Sequence, residues 1–436
     1  MRKIFLIFIL TSVFILTSIA ANYAYAVTLL DALNQAYQNN TELNAERENI
    51  NVSKEDLNIT KGEYLPSASI TGTKSQEDTN KLTNQSGGDA SINDVDPLTT
   101  SIKLEQKLID FGRSAEFEKK KIGLHLAEAK LLKIEQDILY KATEAFTGLI
   151  VANEMLKINE RNLKLLQRQV ENDKVRLEIG KITVSDLAQS ESSLAGAQAQ
   201  LIQAENDVVT NKLNYENVIG KISDPNGLKK SLKAFVAIPE SLSNAIELSQ
   251  LNNPNIKIAK FELEQAEKDI QIARSDLSPT ATLSLERSYS EDLSTTYDER
   301  EKDILKATVS WPFYSGGTKI AKVNKNRNLK IRKKLLLDNE IKTNNTNVAS
   351  AWSNLLSSKS FLASVRLQVK AAENANEGIS AEYERGSRTT LDVIQSNTFL
   401  LNAQISLANS ERNYLLAQYN LLKSIGLLNS DYLKLK

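Results

Sequence analysis

The sequence predicts a mainly α, internally duplicated protein in which long coiled-coil helical hairpins carry four β-strands of the kind found in membrane β-barrels. Three observations predict it. One half-length pattern is written twice, two very long stretches lack proline and almost lack glycine, and short segments ahead of each stretch alternate apolar with polar residues. The duplication is settled first, because a repeated unit changes how every later segment is read. Leu65-Pro66 falls on Ser278-Pro279, and Asn39-Asn40 on Asn252-Asn253, at a shift of 213. Gly180, Asp186 and Gly220 fall on Gly386, Asp392 and Gly426 at a shift of 206, which puts the slack in a loop. The expected divisions are a signal peptide over 1–26, a first repeat over 27–220, an inter-repeat linker over 221–240, a second repeat over 241–426 and a short tail over 427–436.

Residues 1–26 carry Arg2 and Lys3, an apolar run from Ile4 to Ala21, and the small-x-small triplet Ala24-Tyr25-Ala26, the pattern of a cleaved secretory signal. Beyond it no stretch approaches the ~20 apolar residues of a spanning helix, which excludes a helical inner-membrane protein. The 54 basic and 54 acidic residues cancel, so there is no basic surplus for nucleic acid. Cysteine is absent, removing disulfides, thiolate metal ligands, thiol nucleophiles and a lipidated N-terminal cysteine. A mean hydropathy of −0.33 does not exclude an outer-membrane protein, since barrel strands bury only alternate residues in lipid.

Each repeat opens at a candidate N-cap, Thr28 or Ser241. Strands follow: Ala68 to Ile70 and Ile102 to Leu108 in the first half, Thr280 to Glu286 and Leu305 to Phe313 in the second, the last pair with clear period-two alternation. The segments 75–97 and 290–303, rich in Asp, Asn, Ser, Gly and Thr, read as the loops that join them. Four strands cannot close a membrane barrel alone, since single-chain barrels begin at eight. Several copies are therefore required; three give twelve strands, and other multiples remain open at this point.

Next come the long stretches, Arg113 to Ile179 and Thr318 to Arg385. A helix of that size runs about 100 Å and needs other helices along its length. In the first, Leu124, Leu131, Ile138, Ala145 and Ala152 form a strict seven-residue stripe, the spacing of coiled-coil contact. Shorter return helices carry Leu187, Leu194, Leu201, Val208 and Tyr215, then Val393, Leu400, Leu407, Tyr414 and Leu421, in register at a shift of 206. Asp224-Pro225-Asn226-Gly227 and Pro239 place turn chemistry between the halves.

Catalytic chemistry finds no footing. The single histidine, His125, lies within a long helix with no cysteine or second histidine to join it. Gly316-Gly317 between strand and helix lacks the Gly-Lys-Ser/Thr ending of a phosphate loop, and a strand-to-helix turn explains it. Carboxylates lie scattered along helices beside Lys and Arg, as on solvated faces. The reading is a non-enzyme without cofactor or metal.

The order Ala-Leu, Asn-Asn, Leu-Pro, two strands, long helix, Gly-x-x-x-x-x-Asp turn and return helix, present twice, resembles the TolC-type outer-membrane efflux proteins. That resemblance implies a homotrimer, with a 12-stranded barrel in outer-membrane lipid continuous with a trimeric α-barrel of twelve helices in the periplasm and an equatorial linker between the halves. It implies an export duct for proteins (type I secretion), small molecules such as drugs, or both. Its partners would be a periplasmic adaptor (membrane fusion) protein and an inner-membrane ABC or proton-driven transporter. The second tip, Tyr383-Glu384-Arg385-Gly386-Ser387-Arg388-Thr389-Thr390-Leu391-Asp392, is its most specific match. By resemblance, Tyr383 and Arg388 are latches that bond Ser185 and Asp186 of the first tip, Gly180 and Gly386 make the tip turns, and Asp392 from three copies forms an acidic entrance ring. Gln395 stands where the family's type channel has a second aspartate, which reduces the expected entrance charge. The alternative is a periplasmic helical-hairpin adaptor or scaffold. Neither cargo nor transporter is legible in the residues.

Overall fold

A computed structural model describes residues 27–435 apart from 79, 82, 84, 89–94, 223, 226 and 295–296. The signal-peptide expectation for 1–26 lies outside these residues. Helix α1 (Leu29–Asn39) and α2 (Thr41–Gly62) lead to β1 (Ser67–Lys74) and β2 (Leu98–Ile109), then α3 (Arg113–Glu178) and α4 (Val184–Val218). The second half repeats the order as α5 (Leu242–Asn252), α6 (Pro254–Ser275), β3 (Thr280–Ser294), β4 (Tyr297–Ser310), α7 (Thr318–Glu384) and α8 (Thr390–Ile425), before a short α9 (Ser430–Leu433). Helices of 11, 22, 66 and 35 residues are answered by helices of 11, 22, 67 and 36.

The chain forms two compact units that cut across the sequence repeats. One holds the described residues up to Asn44 together with residues 132–253 and 344–435; the other holds Ala45–Leu131 and Pro254–Thr343. The pair Asn252-Asn253 falls at one break, and Asn39-Asn40 lies four residues before another. Asn40 and Asn253 leave the helical region (ψ 124° in both), splitting what reads as one helix into α1/α2 and α5/α6. Each then uses its side-chain amide to hold the end of the return helix. Asn40 Nδ2 donates to the Val218 carbonyl at 3.1 Å, and Asn253 Nδ2 to the Ser424 carbonyl at 2.9 Å. Both carbonyls lie in the last helical turn, where intrahelical donors run out.

The first unit is a coiled-coil core. α1 buries Leu29, Ala32, Leu33 and Ala36, one face of a helix, behind a Thr28/Asp31 capping box. Ile138, Ala145 and Ala152 of the α3 stripe are buried. In the return helices the expected stripes are buried at Tyr215, Val393 and Leu421, and a second row of small residues is buried beside them. Ser190, Ala197 and Ala204 in α4, and Ser396, Ala403 and Ser410 in α8, are buried at spacing seven and superpose at a shift of 206. Leu187, Leu194, Leu201, Leu400 and Leu407 of the stripes are half-buried beside this row. The linker docks by hydrogen bonds: Val27 bridges Leu228 in parallel, its N–H donating to the Gly227 carbonyl and its carbonyl accepting from the Lys229 N–H, Asn153 Nδ2 donates to the Pro225 carbonyl, and Gln418 holds the backbone of Leu232 and Ala234. Lys230 reaches Glu154 at 2.6 Å and Glu411 at 2.6 Å. Burial alone lowers an ammonium pKa, but bonds to these two carboxylates outweigh it and leave Lys230 raised. The tail docks as well, with Leu428 and Leu433 buried and Tyr432 Oη donating to the Ala237 carbonyl.

The second unit carries the sheet, antiparallel in the order β1-β2-β3-β4. Residues 75–97 connect β1 to β2, whereas β3 and β4 are separated by residues 295–296 alone, which accounts for the change of shift between repeats. The expected loop over 290–303 is therefore strand for most of its length. Its dense charges sit on a ladder whose two faces are both exposed, so polarity hides the pairing. Conversely, Trp311 and Phe313 fall beyond β4, which stops before Pro312, a residue with no N–H for the ladder.

The register sorts the sheet into two faces. One carries the row Ala68, Leu104, Leu285, Leu305, with Ala281 opposite Val309 on one side of it, and on the other, towards the β3–β4 hairpin, Ile70 and Ile102 in a row completed by Arg287 and Asp303. Ile70, Leu305 and Val309 are 76%, 72% and 72% exposed, so nothing among the described residues covers this face. The other face is polar throughout, apart from Ile304. Tyr64, Phe111, Trp311, Phe313 and Tyr314, all exposed, flank the same edge of the sheet, where β1 and β3 begin and β2 and β4 end.

Candidate functional site

The two hairpins turn by the same device. Gly180 and Gly386 have φ of +69° and +84°, a region favourable to glycine. Behind them the Lys181 N–H donates to the Arg176 carbonyl at 2.8 Å and the Ser387 N–H to the Glu382 carbonyl at 2.9 Å, closing each helix with a six-to-one bond. Thr183 and Thr389 then cap the return helices. Asp186 Oδ2 accepts from the Thr183 N–H at 2.9 Å and its hydroxyl at 2.7 Å; Asp392 Oδ2 accepts from Thr389 at 3.0 and 2.9 Å. These bonds, backbone first and hydroxyl second, hold both carboxyls below their ordinary range, with Arg388 adding to the effect on Asp392.

Asp186, Tyr383 and Arg388 line one cavity of about 600 Å³, together with Arg176 and Arg385. Within the chain the expected latch bonds are not made. Asp186 is engaged by Thr183, three residues away. Arg388 donates through Nε to Glu382 of its own hairpin at 2.7 Å, which raises its pKa. Ser185 is exposed. These local partners close short loops and so lose little chain entropy.

Tyr383 points inward and is 5% exposed. Its hydroxyl donates to Asp173 Oδ1 at 2.5 Å and lies 3.3 Å from Thr390 Oγ1. Asp173 is fully buried and also accepts from Ser190 Oγ at 2.5 Å and from Gln169 Nε2 at 3.1 Å to each oxygen. Arg176 stacks over the Tyr383 ring at 4.0 Å and donates from both terminal nitrogens to the Tyr383 carbonyl at 3.3 Å. One buried carboxylate thus ties α3, α4 and α7 together, with an adjacent guanidinium. Burial first, and the bond to Asp173 second, raise the Tyr383 phenol and keep it a donor.

Sequence reasoning missed Asp173, although a signal was present. The α3 stripe continues by sevens past Ala152 through Asn159 and Leu166 to Asp173. A polar residue in such a seam calls for a buried partner and a fixed register. His125 has a structural setting: it stacks on Phe261 at 5.9 Å and pairs with Glu128 at 3.1 Å. Among the described residues no cluster of three or more His, Cys, Asp or Glu is placed to hold a metal.

Paired coiled-coil hairpins joined to a sheet with one apolar and one polar face define the class of outer-membrane channel proteins. The chain belongs to the outer membrane efflux protein family, whose model matches residues 32–221 and 245–427, one stretch per repeat. The outer membrane efflux protein BepC of Brucella suis biovar 1 (strain 1330) is 29% identical over 96% of this chain and 90% of its own length. The proteases secretion protein PrtF of Dickeya chrysanthemi is 23% identical over 96% of this chain and 92% of its own. The crystal structure of the CmeC outer membrane channel of Campylobacter jejuni shares the fold, with a TM-score of 0.78, 15% identity and coverage of 91% of this chain and 85% of that one. The protein is therefore a non-enzymatic component of the outer membrane that extends into the periplasm, and the scaffold alternative falls away.

Proposed function

We propose that three copies of this chain close a twelve-stranded barrel and a twelve-helix tunnel into one export duct. An inner-membrane transporter drives it through a periplasmic adaptor, and it carries secreted proteins, small molecules or both. The barrel reading rests on the two faces of the sheet. Arg or Lys facing lipid at mid-membrane costs about 2–4 kcal/mol in a barrel, so the apolar face suits lipid and the polar face a watery lumen. Aromatic residues along one sheet edge fit a membrane interface.

The gate is proposed at the hairpin turns, and the observation that carries it is the buried Asp173–Tyr383 bond, which ties the two hairpins of one chain together. Arg388, whose internal bond uses only Nε, reaches Ser185 and Asp186 of a neighbouring copy, and Asp392 of three copies rings the entrance. Tyr383→Phe and Arg388→Ser, singly and together, are expected to raise single-channel conductance in a planar bilayer, because each loosens a different bond. Conductance unchanged in the double variant removes the gate assignment.

A further inference from the structure

The polar face of the sheet carries an uneven charge that neither the gate nor family membership uses. Its basic residues are Lys103, Lys107, Arg300, Lys302 and Lys306, against Glu105 and Glu286. Both acids gather around a single lysine: Glu105 pairs with Lys103 at 2.5 Å, and Glu286 lies directly across the ladder from it. The remaining four face hydroxyls, with Lys107 opposite Thr282, Lys306 opposite Ser284, Lys302 opposite Ser288 and Arg300 opposite Ser290. Asp298, by alternation on the same face at the hairpin end, leaves a basic surplus. The apolar face differs in sign: its charges gather towards the β3–β4 hairpin, where Arg287 is met by Glu301 at 3.3 Å and Asp303 at 3.9 Å and Glu291 lies across the ladder from Glu299.

We propose that this basic face is an anion-selecting wall, which draws in and passes carboxylate- or phosphate-bearing solutes and acidic polypeptide segments ahead of cations. The inference rests on the reading of the polar face as the barrel lumen. There, several copies bring the same surplus around one narrow path, and a ring of like charge selects the opposite ion. Low-dielectric walls strengthen its field.

The test is the reversal potential of the purified channel in a planar bilayer under a KCl gradient. The wild-type protein is expected to be anion-selective. Lys302→Gln with Lys306→Gln should lower the anion-to-cation permeability ratio several-fold, and Asp392→Asn, run alongside, separates the gate's charge from that of the wall. Ser288→Glu, which sets a carboxylate opposite Lys302 without removing a side chain, should move the ratio the same way if the lysine pair fails to fold. Channel steps with a cation preference, unmoved by these changes, overturn the inference and leave the duct standing. Folded protein that gives no steps at all removes the duct reading, and the wall with it.

Discussion

At the scale of single residues, a carboxylate here acts through its surroundings. Asp186 and Asp392 sit on the surface as halves of capping boxes, whereas Asp173 is buried under three donor side chains. The surface pair predicts a pH dependence. Both carboxyls lie below their ordinary value of 3.8, so their contribution is complete above that value and is lost as pH falls through the lower folded one. Asp392→Asn is expected to melt below wild type at neutral pH, with the gap closing below about pH 4. Circular dichroism melts across that range check it. The copies also differ residue by residue at the node. At a shift of 206, Asp173 answers to Ile379, Leu177 to Tyr383 and Val184 to Thr390, so the polar lock exists once per chain.

At the scale of elements, helix lengths, turn glycines and caps were legible because each has a local chemical cause. The long helices end within a residue of the expected bounds, where glycine and a Thr-x-x-Asp sequence enforce the turn. The strand ends were not legible. Charged side chains on a ladder exposed on both faces look like loop, and only pairing reveals them. The latch partners were obscured too, because spacing cannot say whether Tyr383 turns towards the tip or into the seam. Glycines of equal prominence also prove unequal. A Cβ on Gly426 (φ +90°) meets the carbonyl carbon of Asn252 at 2.5 Å, whereas one on Gly386 meets nothing within 4 Å. Gly386→Ala is expected to cost about 1 kcal/mol for a left-handed residue, and Gly426→Ala clearly more, since backbone has to move. Thermal melting in detergent ranks them, and equal shifts reject the argument.

At the scale of the molecule, two units of different chemistry share each long helix: one built on buried small-residue seams, the other on a sheet whose apolar face waits for lipid. Leu285→Arg sets a charge in the middle of that face and is expected to reduce assembly into outer membrane, at about 2–4 kcal/mol per chain, with the helices still formed. Fractionation and heat-modifiable mobility on gels report it, and normal assembly contradicts the orientation of the sheet. The two tryptophans fall one to each unit. Trp311 stands at the aromatic edge of the sheet with its indole N–H on the Leu277 carbonyl at 3.2 Å, while Trp352 packs against the buried cluster of Val348, Leu355 and Leu421. Nature has thus left a separate fluorescent reporter in each half of the architecture. Trp352→Phe makes barrel insertion visible alone and Trp311→Phe does the same for helix packing, so the order in which membrane and periplasmic parts mature is open to direct timing without any added label.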